Sequence, residues 1–418
     1  MARKKEIEEI GLYNPYELSW GEKIEFPSTR NLHEYGNRIY NRYPARSVFL
    51  VPRAILSQFK DKSIKVLDPF MGSGTTAVET ILSGNIPFGL EMDPFARMVA
   101  EASSSVFSKN ELEEIIALKQ EIIDNWRKYK PEEKPHLSGV ERWFKEGDLD
   151  ALLRLKKTIK CIVPDKYLKF FLVTYADAIK PVSLMERQSL KPYISTKYTK
   201  VTKSVDESFE YSFNVHFDAI KEMSELIKNS GAIRWIGTDA TDFSSDENAI
   251  DLAITSPPYI NALDYTRCIK VESALCGTID NTIANELRQK QVGHERRRNQ
   301  DIYPVVSTLF QPLFDEIEKK DPQRAQTSLS YFNDIYKNLI CVRKVLRQKG
   351  EYHIIIGDNT IRDIDIPTHE IISSLAQIAG YEHFGYYKYD IRDHRTSIPR
   401  NKAKSKIQIE HVLMLRKV

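Results

Sequence analysis

The sequence has few cysteines, no long apolar run and almost no net charge, and each lack removes a class of protein. Cys161, Cys268, Cys276 and Cys341 are far apart, with no CxxC pair and no histidine at ligand spacing. That pattern supports neither a disulfide framework nor a zinc site, so the four read as reduced, structural thiols and no metal is expected. No stretch approaches the roughly 18 apolar residues of a membrane span. The opening residues MARKKEIEEI are charged and lack the apolar segment of a secretory signal, so a cytoplasmic location is expected. The formal charge is +3, from 61 basic and 58 acidic residues, which neither demands nor excludes a polyanionic partner. Where the charge sits matters more than its sum.

The chain is long enough, at 418 residues, for a catalytic core plus a second domain or a large insertion. Its texture changes along the way. Residues 64–68 read as a buried strand, 75–83 as a helix and 86–91 as a second strand, the start of a βαβ unit. Charged, periodic sequence then predicts helices over 110–128, 149–160 and 212–229. Strand patterns return at 232–236, 251–255, 351–356, 381–389 and 407–415, with an amphipathic helix over 331–348. The expected organisation is an N-terminal extension (1–32), a first α/β portion (33–100), a mostly helical insertion (101–230) and a second α/β portion (231–418). The expected fold is α/β, a Rossmann-like sheet with helices on both faces. Polar, basic stretches at 186–204 and 286–301 suit exposed loops.

The strand ending at Asp68 runs into Asp68-Pro69-Phe70-Met71-Gly72-Ser73-Gly74-Thr75-Thr76, a two-glycine turn that opens directly into a helix. Such a turn lets backbone approach a ligand closely. A phosphate-gripping P-loop needs a lysine before its Ser/Thr, and here Gly74 is followed by Thr75. The dinucleotide pattern is also broken, with Ala77 in place of its third glycine. One βα unit later Glu91 ends a strand, where a carboxylate can accept both hydroxyls of a ribose. The pair fits an adenosine ligand without a pyrophosphate. Taken singly, an acidic strand end is as often structural or solvated as functional, and a lone glycine turn is structural more often still.

A second strand runs into Ser256-Pro257-Pro258-Tyr259. Two prolines at a strand end stop the ladder and set a rigid, extended turn, useful where a reacting group must be aimed. The bland alternative is a strand cap with a core tyrosine. A base amino group is a poor nucleophile because its lone pair is delocalised, so acceptors must hold its hydrogens while the nitrogen becomes tetrahedral. Ser256 Oγ and the Pro257 carbonyl are candidate acceptors. The Tyr259 ring offers a face for an extruded base, worth about 1–3 kcal/mol at comparable stacking sites.

Together these residues resemble the amino-group DNA methyltransferases, which modify cytosine N4 or adenine N6. The glycine loop matches that family's cofactor loop. Thr255-Ser256-Pro257-Pro258-Tyr259 resembles its catalytic loop, where serine in first place is typical of the cytosine N4 enzymes. Arg42-Tyr43-Pro44-Ala45-Arg46 resembles the separate cofactor segment, which implies that Tyr43, Pro44 and Ala45 border the methionine moiety. Gly237-Thr238-Asp239-Ala240 resembles the stretch whose acidic residue, here Asp239, contacts the adenine; Met92, next to Glu91, is a further candidate cofactor contact. The resemblance covers about 33–100 and 235–418. It implies a class I methyltransferase sheet, S-adenosyl-L-methionine as cofactor, and base flipping from double-stranded DNA in a restriction-modification type system. It leaves open whether a cognate restriction endonuclease accompanies the chain, with no stable complex implied.

In such a reaction the activated methyl needs only to be placed in line with the base nitrogen. No Pro-Cys dipeptide occurs, which excludes the usual carbon-5 cytosine chemistry. Basic residues gather at 187–203 with Tyr193 and Tyr198 interleaved, at 288–298 and at 392–406. Arg187, Lys191, Lys197, Arg296, Arg297, Arg395 and Arg400 are the candidate phosphate contacts, against the plain alternative of solvated faces. Asp264-Tyr265-Thr266-Arg267 is either a base-pocket wall or an ordinary helix start; His33 and His216 read as structural or surface residues. The competing readings are adenine N6 methylation, an RNA base methyltransferase, a non-catalytic nucleic-acid-binding module and, last, a nicotinamide dehydrogenase.

Overall fold

The computed structural model describes residues 13–26, 34–187, 189–227, 231–246, 248–260, 263–295, 297, 301–391 and 407–418. In chain order the first elements are β1 (Glu22–Ile24), α1 (Leu50–Ser57), β2 (Lys65–Asp68), α2 (Thr75–Leu82), β3 (Ile86–Leu90) and α3 (Pro94–Ser103). Four long helices follow: α4 (Lys109–Asn125), α5 (Asp148–Ile162), α6 (Asp165–Val182) and α7 (Val205–Leu226). Then come β4 (Arg234–Gly237), β5 (Ile250–Thr255), α8 (Tyr265–Cys268), α9 (Lys270–Cys276), α10 (Asn281–Lys290), α11 (Pro304–Lys320) and α12 (Pro322–Val345). The chain closes with β6 (Leu346–Gly357), a small hairpin of β7 (Asn359–Ile361) and β8 (Ile364–Ile366), α13 (Thr368–Ile378), β9 (Tyr381–Asp390) and β10 (Ile409–Lys417).

Eight strands form one sheet in the order β1-β9-β10-β6-β5-β2-β3-β4. β4, β3, β2, β5 and β6 are parallel, and β10 runs antiparallel between β6 and β9. This is the Rossmann-like α/β arrangement expected from the alternating pattern. The period-two alternation of strand side chains explains its two cores. Val66, Leu252, Ile254, Ile355, Val412 and Met414 face one layer with α1. Leu67, Ala253, Ile354, Ile356, Leu413 and Leu415 face the other, against α12 and α13. Each such aliphatic contributes about 1.5–3 kcal/mol on full burial.

From β2 the chain steps outward to β3 and β4, and from β5 it steps the other way to β6. The crevice at the carboxyl ends of β2 and β5 is therefore the topological switch point, where open α/β sheets take their ligands.

The helices of 101–230 pack onto the half of the fold that carries α3. Leu152, Phe170, Phe171 and Ile220 share a core with Ile39, Tyr40, Tyr43, Phe95 and Val99, and with Val271 and Leu275. Capping boxes start α4 (Ser108 with Glu111) and α7 (Ser204 with Glu207). Among the described residues no helix is long and apolar enough to cross a membrane.

Two local expectations change. The helix expected over 331–348 begins at Pro322, behind the Asp321 cap, and ends at Val345 because Leu346 already pairs with Ile250 in the sheet. The stretch 286–301 is not all exposed loop: α10 takes its first residues, and Gln291 and His294 are buried.

Candidate active site

The glycine loop is shaped by what approaches it. Gly72 and Gly74 have φ of 52° and 88°, the left-handed region that glycine adopts without strain. A Cβ on Gly74 would lie 2.8 Å from Ala100 Cα, so the missing side chain lets α3 close on the start of α2. A Cβ on Gly72 would meet the Tyr43 ring at 3.6 Å, which places Tyr43 at the loop's border. Tyr43 and Pro44 are buried, whereas Ala45 is exposed with a φ of 50°. Ser73, Thr75 and Thr76 are buried and Phe70 is half-buried.

Glu91 sits beneath this loop. Its carboxylate accepts the N–H of Gly72 at 2.8 Å and that of Asp93 at 2.8 Å. Burial pushes its pKa up to about 7 despite those bonds, so the carboxyl is poised between its two forms. Asp93 caps α3 through the Phe95 N–H, and Met92 packs half-buried against the helical core. The phenols of Tyr43 and Tyr265 lie close enough to feel the Glu91 charge, and burial raises both.

The two loops meet at one buried bond. Thr255 Oγ1, at the end of β5, donates to Asp68 Oδ1 at 2.6 Å, and the same oxygen accepts the Phe70 N–H at 3.0 Å. Burial pushes Asp68 up to about 6, opposed by its bonds from Thr255 and Thr76. Ser256 and Pro258 are half-buried and Pro257 is buried. Among the described residues nothing bonds the Ser256 hydroxyl, which leaves it available to a ligand. Gly293 backs the Tyr259 carbonyl so closely that a Cβ there would sit 2.8 Å from the oxygen. The Tyr259 hydroxyl donates to Glu410 of β10.

Past the end of β4, Asp239 Oδ1 accepts the N–H and hydroxyl of Thr241 at 2.8 and 2.7 Å. Ala240 is buried, and its carbonyl takes the Asn338 amide of α12 at 2.8 Å. Thus Tyr43, the glycine loop, Glu91 and the Ser-Pro-Pro-Tyr turn, which lie far apart in sequence, gather at the switch point. Asp239 and Ala240 follow the edge strand β4, two strands from β2.

The basic candidates divide. Arg187, Lys191 and Lys197 are exposed. Arg297 is not a free phosphate contact: its guanidinium grips Asp334, with Nη2 to Oδ1 at 2.9 Å and Nε to Oδ2 at 2.5 Å, and the aspartate is fully buried. A guanidinium committed to a buried carboxylate is a fold element. Arg296, Arg395, Arg400 and His33 lie outside the described residues. Asp264 caps α8 through the Arg267 N–H at 2.9 Å and pairs with Arg288, so the plain helix-start reading holds for it. His216 is a core histidine that accepts the Tyr40 N–H at 3.1 Å.

Sequence reasoning missed the far wall. The phenols of Tyr265 and Tyr331 lie near that of Tyr259, and among the described residues nothing hydrogen-bonds the buried Tyr331 hydroxyl. Glu410 and its second partner Tyr389 were missed too, although an acid at the head of an apolar strand was a visible signal. One set of metal-ligand types also meets, Asp358, His369 and His411. Its imidazoles stack with centroids 3.8 Å and planes 10° apart. A metal must lie close to both ring planes along the lone pairs, which parallel stacked rings do not allow. Asp358 Oδ1 instead bonds His369 Nδ1 at 2.8 Å, bracing β6 to α13.

No protein-family model matches the chain. It is similar to the type II methyltransferase M.MvaI of Kocuria varians, 23% identical over 376 residues that span 84% of this chain and 83% of the relative. The type II methyltransferase M.BsoBI of Geobacillus stearothermophilus is 27% identical over 302 residues, 66% of this chain and 58% of that one. Among solved structures, a provisionally assigned DNA modification methylase of Thermus thermophilus, complexed with S-adenosyl-L-methionine, aligns at 18% identity. That alignment covers 42% of this chain and 50% of the other at a TM-score of 0.22, too low to rest a fold on; the strand order above carries it.

Proposed function

We propose that this chain is an S-adenosyl-L-methionine-dependent DNA methyltransferase that methylates the exocyclic N4 of cytosine in duplex DNA after the base is flipped out. The observation that carries the reading is the Thr255 to Asp68 bond, which locks a cofactor-type glycine loop to a Ser-Pro-Pro-Tyr turn at the sheet's switch point. Similarity to type II methyltransferases over most of the chain supports it and suggests a restriction-modification setting, in the cytoplasm and on DNA, with a cognate endonuclease as a functional partner.

The residues fit the cofactor. The missing side chain at Gly74 lets α3 close on the start of α2 and so shapes the loop, and Glu91 can accept two ribose hydroxyls. Tyr43, Pro44 and Ala45 would border the methionine end, Asp68 to Thr76 the body of the ligand, and Met92, Asp239 and Ala240 the adenine side. When bound, S-adenosyl-L-methionine supplies a methyl group already activated on sulfur.

The protein's own work is then to hold the amino group. Ser256 Oγ and the Pro257 carbonyl accept its two hydrogens, drawing the lone pair out of conjugation with the ring. Pro257 and Pro258 keep those acceptors from relaxing away, and the Tyr259 ring sets the base plane. Arg187, Lys191 and Lys197 contact the phosphates.

The test incubates the purified chain with labelled S-adenosyl-L-methionine and mixed-sequence duplex DNA, followed by nucleoside mass spectrometry, beside a Ser256→Ala/Tyr259→Ala control. N4-methylcytosine that disappears in the control is the expected result. N6-methyladenine would keep the site and overturn the base, and no label in DNA despite cofactor binding would overturn the DNA assignment.

A further inference from the structure

Strand β10 opens with Ile409-Glu410-His411, and its glutamate is out of place by composition alone: 9% exposed, in register with Gly357 of β6 and Tyr389 of β9. A buried carboxylate is costly unless its oxygens are satisfied. Here each oxygen takes one phenol. Oε1 accepts the hydroxyl of Tyr259 and Oε2 that of Tyr389. Among the described residues no cation pairs with it, and burial raises its pKa while the two phenols favour the charged form.

The two tyrosines differ in setting. Tyr389 is fully buried, and the Phe26 ring meets it edge-on at 4.9 Å, so it anchors Glu410 from the core side. Tyr259 belongs to the catalytic turn. Its backbone is fixed by Pro257 and Pro258 on one side and by the close packing of Gly293 on the other. A tyrosine held only at its backbone still swings about χ1 and χ2; held also at its hydroxyl, it presents one plane. A phenol donating to a carboxylate also carries more electron density in its ring, which favours a base on which positive charge develops.

We infer that Glu410 is a positioning residue for methyl transfer: through the Tyr259 hydroxyl it fixes the ring against which the target base lies, and Tyr389 fixes Glu410 in turn. This rests on the reading that Tyr259 receives the base. A hydroxyl that mattered only for packing would stabilise the fold without touching the rate of the chemical step.

The test is a double-mutant cycle on the full-length chain, with labelled S-adenosyl-L-methionine and mixed-sequence plasmid DNA, reading kcat and the cofactor dissociation constant. Tyr259→Phe and Glu410→Ala should each lower kcat about tenfold, and the double variant should be no worse than either, because both break one linkage. Cofactor affinity should stay within about twofold throughout, since the glycine loop is untouched. Glu410→Gln should lose less than Glu410→Ala, its amide oxygen still accepting one phenol. If Glu410→Ala does not fold, the same cycle runs with Glu410→Gln and Tyr389→Phe. Losses that multiply in the double variant, or cofactor affinity that falls in step with kcat, would overturn the positioning role alone. A wild-type chain that binds cofactor yet labels no DNA would overturn the proposed function and this role with it.

Discussion

On the proposed reading, Glu91 is a single carboxyl that ties cofactor binding to pH. Burial holds its pKa up at about 7, whereas the ionised carboxylate is the much stronger acceptor for two ribose hydroxyls. Ligand binding therefore competes with a proton, and the cofactor dissociation constant should fall about tenfold between pH 6 and pH 8. Titration calorimetry checks this, with Glu91→Gln expected to be weaker and flat across that range. The sign for stability is opposite to that of a salt-bridged acid. The folded pKa lies above the unfolded 4.5, so the native state keeps a proton that the unfolded chain releases, and the ligand-free protein loses stability as pH rises from about 4.5 to about 7. Bound cofactor should cancel that loss. Gly74 supplies a second prediction at the same scale. Gly74→Ala forces a left-handed φ on alanine and a clash with Ala100, which should cost about 1–3 kcal/mol and weaken cofactor binding, read by thermal unfolding with and without ligand.

At the level of elements, a basic stretch that invites a DNA reading turns out to pin a helix. Arg297 holds Asp334 of α12 from the turn after α10, and it also reaches Thr241 Oγ1 at 3.2 Å past β4. Arg297→Ala would remove this ion pair from Asp334, which is fully buried, at a cost of about 3–5 kcal/mol. Urea unfolding should show that loss, while the salt dependence of DNA binding should stay as in the wild type; a change in salt slope without a stability loss would return Arg297 to the DNA surface. The same contrast explains what was legible in the sequence. The cofactor loop, Glu91 and the Ser-Pro-Pro-Tyr turn each concentrate their chemistry in a few consecutive residues, so they could be read before folding. Arg297 with Asp334, and Glu410 with Tyr259 and Tyr389, acquire their meaning only when strands pair across long separations, and one-dimensional charge patterns cannot show that. Strand and helix identities followed the apolar period, whereas the end of α12 was set by sheet pairing at Leu346.

Over the whole molecule, a net charge of +3 gives little general attraction for DNA, so affinity must come from where the cations are placed. The segment following α6 is built for exposure. Lys200 Nζ donates to the carbonyls of Lys180, Ser183 and Met185 at 2.6, 2.8 and 2.7 Å, folding the segment back on the end of α6. Burial, with Arg187 and Lys180 nearby, lowers that ammonium to about 8, which marks it as a structural staple. Around it Lys191 and Lys197 remain exposed, with Tyr193 and Tyr198 at 48% and 57% exposure. The Lys191 charge is felt at Cys268 in α8, the helix that follows the Ser-Pro-Pro-Tyr turn; on the proposed reading this surface adjoins the site that a flipped base must reach. Removing one cation that neutralises a phosphate should reduce the slope of log K against log salt by about 0.9. Lys191→Ala/Lys197→Ala should therefore flatten that slope by nearly two, with cofactor affinity and thermal stability unchanged. Lys200→Met should instead lower thermal stability first, because three carbonyls lose their donor. If the double variant keeps the wild-type slope, the segment is a solvated face and the phosphate contacts lie elsewhere on the chain.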